Sequence, residues 1–460
     1  MVAAFVGCEE APVDEPSKRI ERPHLVLMVA DTLRQSYLGT YGFAGEISPA
    51  IDRLALQSVV FEHAIAPAPW TRPSIASILT SLPPEVHGLT ANGKLGHAQA
   101  LNERVPTLAD ELRKAGYETV ALYANGWLHP RSGLGRGFER YEKVAGGAIE
   151  IVAKALEVLA DRPTNRPVFL YLHFMDTHGP YRCPEEVYAR IRRSDSLGED
   201  RRMSAEERKN LGYLRRTKTP WLADPEQRET QAFWRSCYGA NVSLFDKSVE
   251  PLVAALLSGA RANDTVAVFT SDHGEALGEH PISESNRRRW EHGWSLHFHQ
   301  LRVPLLVRLP GGRHGGLRLT AAVSVSDVAP TMLELVGLAQ PEAMYGQSFL
   351  CHLPAGSCPL ETYVFSTGVK RVPGLQAVQD ERFKLILDSG PAPVALYDLA
   401  EDPSETRDVA EHWPEVVRNM REAARERRRK LHALAQPPIS ATAHAPGVVD
   451  ELRALGYIDE

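Results

Sequence analysis

One pattern recurs along this chain and restricts its fold more than any other feature. A short apolar, β-rich run stops at an acidic or polar residue, and a turn follows. His24–Ala30 stops at Asp31, 119–124 at Asn125, and Val168–Phe174 at Met175-Asp176-Thr177-His178. The run 265–270 stops at Ser271-Asp272-His273-Gly274, and 303–309 at Pro310-Gly311-Gly312. Between the runs lie amphipathic helical segments such as 51–58, 105–115 and 148–160. Strands that alternate with helices predict an α/β fold, a large, mostly parallel sheet flanked by helices on both faces. Such sheets bind ligands beyond the carboxyl ends of their strands. Three of these ends carry Asp, or Asp with His, and packing does not account for that convergence.

After about residue 350 the period changes. The segments 375–378, Phe383–Leu387 and 394–399 read as strands of a small antiparallel sheet, and Pro414–Leu434 reads as one Arg-rich helix. Its Arg427-Arg428-Arg429-Lys430 run is read as a solvated helix face rather than an anion-binding one. Residues 184–236 break the α/β rhythm. They read as a polar helical insertion, with a solvated surface excursion favoured over a lid or rim. The expected division is a tether at 1–21, a main domain at 22–348, a sheet-and-helix subdomain at 349–436 and a tail at 437–460.

Charge excludes one class of function. Lys+Arg 52 against Asp+Glu 58 leaves −6, which argues against a general nucleic-acid binder. No apolar run approaches the ~18 residues that a membrane helix needs. Near the start, Val6-Gly7-Cys8 resembles the end of a bacterial lipoprotein signal, with a Pro-rich polar stretch after it. This suggests a membrane tether through a lipidated Cys8 and a periplasmic or outer-membrane location, against a cytoplasmic N-terminus as the alternative. The remaining cysteines suggest Cys183 with Cys237 and Cys351 with Cys358, although four cysteines allow three connectivities and also four unpaired thiols.

The chemistry gathers at the strand ends. Asp31 with Asp272 and His273 is a set suited to one divalent cation. Oxygen ligands favour Ca, Mg or Mn, and imidazole admits Zn. Helix capping explains a single Asp at a strand end, but explains three converging groups less well. In Trp70-Thr71-Arg72-Pro73-Ser74, Pro73 suits the first turn of a helix that buries Ile75, Ile78, Leu79 and Leu82. Thr71 therefore stands at a helix N-terminus. There it serves either as a plain cap or, beside a cation, as a nucleophile at a place that also favours an anionic ester.

Taken in order, these motifs resemble the sulfatase family of the alkaline-phosphatase-like superfamily. The resemblance rests on 24–34 with 37–42, 70–81, Gly116-Tyr117-Glu118-Thr119, Gly137-Phe138 and 171–181. It continues through 270–275, His292-Gly293, 302–305, Asp327-Val328-Ala329-Pro330-Thr331, 382–387 and 396–399 with Asp402-Pro403. It implies a large α/β domain with a small C-terminal sheet, and a divalent metal beside the nucleophile. It places Asp31, Asp272, His273 and Thr71 at the metal, Thr71, His178 and His292 in catalysis, and Asn125, Arg72 and Ser74 at the substrate. A second cation among Asp176, His178, His297 and His299 is the alternative to polar residues grouped around one.

The departures from the family pattern carry information. Thr71 stands where the family has the Cys or Ser that becomes formylglycine, and threonine cannot be oxidised to an aldehyde. Ile75, Thr32, Asn125 and His292 replace an Arg, an Asp and two Lys. The expectation is therefore phosphoester or phosphonate ester hydrolysis rather than sulfate ester hydrolysis, on a small-molecule, glycan or lipid ester. The competing readings are a head-group phosphotransferase and a non-catalytic member that binds an anionic glycan or lipid.

Overall fold

The computed structural model describes residues 22–90, 99–160, 166–184, 186–188, 191, 225–259, 261–279, 290–354, 356–358, 363–370, 374–388, 393–435 and 438–440. The expected lipid site at Cys8 and most of the 184–236 segment lie outside them. A nine-stranded sheet organises the chain. Its strands are β1 (His24–Ala30), β2 (Val59–Ile65), β3 (Glu118–Tyr123), β4 (Arg140–Lys143), β5 (Val168–Phe174), β6 (Thr265–Ser271), β7 (Arg302–Val303), β8 (Leu305–Arg308) and β9 (Arg318–Ser324). The central strand β1 pairs in parallel with β5 on one side and β6 on the other. Beyond β5 come β3 and β4, also parallel.

All seven residues of β1 are buried, as expected of a strand covered on both faces. Its side chains alternate between two cores. Leu25, Leu27 and Val29 join one, and Val26, Met28 and Ala30 join the other. The first core takes Ile75 and Ile78 of α2 (Thr71–Thr80), Leu108 and Leu112 of α3 (Leu108–Lys114), and Met332 and Leu333 of α6 (Val328–Leu335). The second takes Ile51 and Leu54 of α1 (Pro49–Leu56), Ile151 and Ala155 of α4 (Ala148–Ala160), and Phe245 and Leu252 of α5 (Pro225–Leu257). A three-layer α/β/α arrangement results.

The structure differs from the sequence reading at several points. The run at 303–309 is an antiparallel strand inside the sheet, broken into β7 and β8 at Pro304, which has no N–H for the ladder. Val59–Ile65 was not anticipated, because Glu62 and His63 interrupt its apolar pattern. The end of the 184–236 segment is not a surface excursion. Ala232, Phe233 and Ser236 are buried on α5, next to Cys237, which is bonded to Cys183. Cys351 is bonded to Cys358.

The small sheet has four antiparallel strands: β10 (Val364–Ser366), β11 (Gln376–Gln379), β12 (Phe383–Leu387) and β13 (Pro393–Asp398). Helix α7 (Pro414–Leu434) packs on it through Met420 and Ala424. Arg428, Arg429 and Lys430 are exposed, as read from the sequence, but Arg427 is not. Arg427 turns inward, pairs with Glu85 at 2.7 Å and stacks on Phe365. It fixes the helix to the large domain.

Candidate active site

The parallel strands end along one edge of the sheet, and the polar residues that stop them meet there. Asp31 follows β1, and Asp272-His273 follows the neighbouring β6. Thr71 opens α2 after β2, with extended Trp70 as its cap residue. Thr71 Oγ1 lies 3.4 Å from Asp31 Oδ2 and 3.3 Å from His273 Nε2. His273 Nε2 is in turn 3.5 Å from Asp31 Oδ1 and 3.4 Å from Asp272 Oδ2. All four residues are fully buried.

This cluster fits a cation. Asp31 Oδ1 and Asp272 Oδ2 are buried oxygens that accept no hydrogen bond among the described residues, an arrangement that costs free energy unless a positive charge satisfies them. Burial raises the Asp31 carboxyl to about 7, against the donation from Asn125. Burial, and then the charge of Asp31, raise Asp272 well above its usual range. Two carboxylates this close do not both ionise comfortably without a counter-charge. Burial also lowers His273 well below its ordinary value, so the ring is neutral. His273 Nδ1 lies 2.8 Å from the Gly274 carbonyl and donates to it, which leaves the Nε2 lone pair facing the cluster. His173 is a further donor that the sequence reading passed over. It sits inside the apolar run of β5, its Nε2 is 3.8 Å from Asp31, and it groups with Asp31 and Asp272 at ligand spacing. Burial lowers it to about 3.

Backbone geometry holds the acids in place. Thr32 adopts φ 62°, and its carbonyl accepts from Tyr238 Oη at 2.7 Å. Gly274 allows the 272–274 turn to press on the 297–301 segment, since a Cβ there would lie 2.2 Å from the His299 carbonyl. Ser74 donates to the Asp272 carbonyl at 2.6 Å, so it positions that loop rather than facing a ligand. Arg72 is also placed differently from the sequence expectation. It is 2% exposed, donates to the Gln99 carbonyl and stacks on Trp127. Successive helical residues diverge by about 100°, so Thr71 and Arg72 address different surroundings. Asn125 reaches the cluster and donates to Asp31 at 2.6 Å.

Two more histidines stand beside it. The His292 ring centroid is 4.5 Å from that of His273 and 5.1 Å from that of His178. His178 Nδ1 meets the Gly179 carbonyl, and His292 Nδ1 is 3.2 Å from the carboxylate of fully buried Glu275. Glu275 lies two residues beyond His273 and was not singled out from the sequence. The alternative of a second cation among Asp176, His178, His297 and His299 finds no such grouping among the described residues. Asp176 accepts from the first residue of α4, Ala148, at 2.9 Å, and His297 lies 3.3 Å from the Tyr397 hydroxyl.

Residues 23–338 match the sulfatase family. This chain belongs to that family. Residues 289–430 of the sulfatase-family chain also match the N-sulphoglucosamine sulphohydrolase C-terminal family. A relative described as the delta 4,5-hexuronate-2-O-sulfatase of Bacteroides thetaiotaomicron is 23% identical, with 85% of each chain covered. Among solved structures, the phosphonate monoester hydrolase of Agrobacterium radiobacter superposes with a TM-score of 0.68 at 21% identity, over 92% of this chain and 100% of that one. A 2-O GAG sulfatase superposes with a TM-score of 0.69 at 18% identity, over 93% and 99%. These likenesses establish the alkaline-phosphatase-like fold for this family member. The protein is a sulfuric or phosphoric ester hydrolase by family.

Proposed function

We propose that the protein hydrolyses phosphate diesters or phosphonate monoesters, with Thr71 as the nucleophile. The observation that carries this reading is the position of Thr71 Oγ1, buried at the start of α2 between Asp31 and His273. Asp31, Asp272 and His273 would hold a divalent cation, with Thr71 at its edge. When bound, that cation supplies Lewis-acid stabilisation of negative charge and makes a nearby hydroxyl easier to ionise.

The rest is the work of side chains. The Thr71 hydroxyl donates to Asp31, and its proton leaves by that route as Oγ1 attacks phosphorus. His292, oriented by Glu275, gives a proton to the departing ester oxygen. His178 and the first backbone N–H groups of α2 face the charge on the equatorial oxygens. Water then attacks the phosphorus of the threonyl ester and loses a proton to His292, the P–Oγ1 bond breaks, and Oγ1 takes back the proton held at Asp31 to regenerate the hydroxyl. The β-carbon of Thr71 carries a methyl group, so the aldehyde route to releasing a sulfate is closed. A threonyl phosphate needs no such route. The presence of both phosphonate monoester hydrolases and sulfatases among the fold neighbours is compatible with this choice.

The test is a panel of aryl sulfate, aryl phosphate diester and aryl phosphonate monoester substrates, assayed with added divalent cation and with chelator. Cation-dependent turnover of the phosphorus esters is expected, and Thr71→Ala should lower it by ~1,000-fold or more. Full activity in Thr71→Ala, or sulfate turnover above that of both phosphorus esters, overturns the proposal.

A further inference from the structure

The end of β10 and the segment after it are stitched to the connection that leads into Thr71. Ser366 Oγ donates to the Ala66 carbonyl at 2.7 Å, and Thr367 N donates to the Pro67 carbonyl at 2.9 Å. Trp70 Nε1 donates to the Gly368 carbonyl at 2.7 Å. Two residues further on is Lys370. Its N–H donates to the Gly293 carbonyl at 2.9 Å, and its Nζ lies 5.0 Å from the Trp70 ring centroid. Its stem runs over Gly293, where a Cβ would meet Cδ at 2.8 Å and Cε at 2.9 Å. The ammonium is thus fixed between the residue before Thr71 and the residue after His292. Burial sets the shifts of Asp31 and His273, and the Lys370 charge reaches both, offsetting part of the rise at Asp31 and adding to the fall at His273.

We propose that Lys370 is the substrate-binding cation of the site, its ammonium contacting a non-bridging oxygen of the ester group that Thr71 attacks. The inference rests on the ester-hydrolase reading above. The charge balance asks for such a group. Asp31, Asp272 and Glu275 bring three carboxylates to the cluster, and an incoming anionic ester adds another negative charge. One dication does not balance that total. Positions 125 and 292 carry an amide and an imidazole, and Arg72 is directed to the Gln99 carbonyl. Lys370 supplies the positive charge from the other domain, which makes the small sheet a part of the binding site. The Trp70 face orients the ammonium without neutralising it.

The experiment compares full-length wild type, Lys370→Met and Lys370→Arg. Three quantities are read: binding of orthovanadate and inorganic phosphate by calorimetry, kcat/KM on the phosphorus esters, and bound metal by elemental analysis. Loss of a charge-assisted hydrogen bond predicts ~10- to 100-fold weaker oxyanion binding in Lys370→Met, a similar fall in kcat/KM, substantial recovery in Lys370→Arg, and unchanged metal content. Unchanged oxyanion binding in Lys370→Met, with only a lower melting temperature, overturns the proposal and leaves Lys370 as a domain anchor on Trp70. If wild type turns over no ester but binds vanadate through Lys370, the hydrolase reading falls and the Lys370 assignment stands. If wild type binds neither vanadate nor phosphate, both fall.

Discussion

Asp31 and Asp272 make the sharpest statement about the site at the scale of single residues, because their ionisation is linked to stability. A carboxyl whose folded pKa is raised contributes stability that is complete below its unfolded value of 3.8 and is lost as pH rises, here through about 7 for Asp31. Asp272 shifts in the same direction. Buried, neutral His173 and His273 work in the opposite sense, since their lowered pKa values cost stability below the ordinary histidine value and that cost vanishes as pH rises. The site is therefore read from the cation's own stabilisation, which should be larger at pH 8 than at pH 5, because the two carboxyls must give up their protons to bind it. Thermal melts at both pH values, with chelator and with excess cation, measure this, and equal melting under all four conditions would remove the case for a cation at these acids. Both acids, with His273, were legible in the sequence because a polar residue that halts an apolar run at a strand end has few structural reasons to be there. His173, Glu275 and Lys370 were not. His173 is hidden inside a buried strand, Glu275 follows a motif already explained, and Lys370 reaches the site only through the packing of a second sheet.

At the scale of elements, the junction of α2 with the β6 turn decides how well the acids are held. The Ser74 hydroxyl bonds the Asp272 carbonyl at 2.6 Å inside a fully buried contact. Removing it strands a buried acceptor, so Ser74→Ala should cost about 1–3 kcal/mol in urea unfolding. Groups that orient metal ligands from behind typically matter by ~10- to 100-fold in metal affinity, and Ser74→Ala should weaken cation binding within that range. A residue that bound substrate directly would instead raise KM and leave both metal affinity and stability unchanged, and that result would return Ser74 to its sequence-based role. The same junction shows what local pattern conveys about elements. Parallel strands buried on both faces appear as unbroken apolar runs, which is why β1, β5 and β6 were readable almost to the residue. Strand β2 was missed because two of its seven positions are polar and only half buried. The antiparallel direction of β7 and β8 was not legible, since direction depends on the path the chain takes to reach the sheet.

For the whole molecule, the question is how the small sheet is held where Lys370 can serve the large one. One answer is the ion pair of Lys384 and Glu405, 2.8 Å apart with each side chain 1% exposed. Glu405 also accepts from Phe298 N at 3.0 Å, at the start of the segment whose Gln300 carbonyl receives the Gly274 N–H at 2.9 Å. A continuous set of bonds therefore runs from β12 through Glu405 to the turn that carries His273. Glu405→Ala leaves the Lys384 ammonium buried without this partner, a change that costs about 3–5 kcal/mol when a buried pair is broken from one side. Replacing both, as Lys384→Met with Glu405→Leu, removes the stranded charge and should recover most of that stability in urea unfolding. It does not restore the bond to Phe298 N, so the double variant should still bind the divalent cation more weakly than wild type. If it instead regains wild-type cation affinity along with stability, the small sheet and the metal turn are coupled only through overall folding. The connection through Phe298 and Gln300 would then have no separate role.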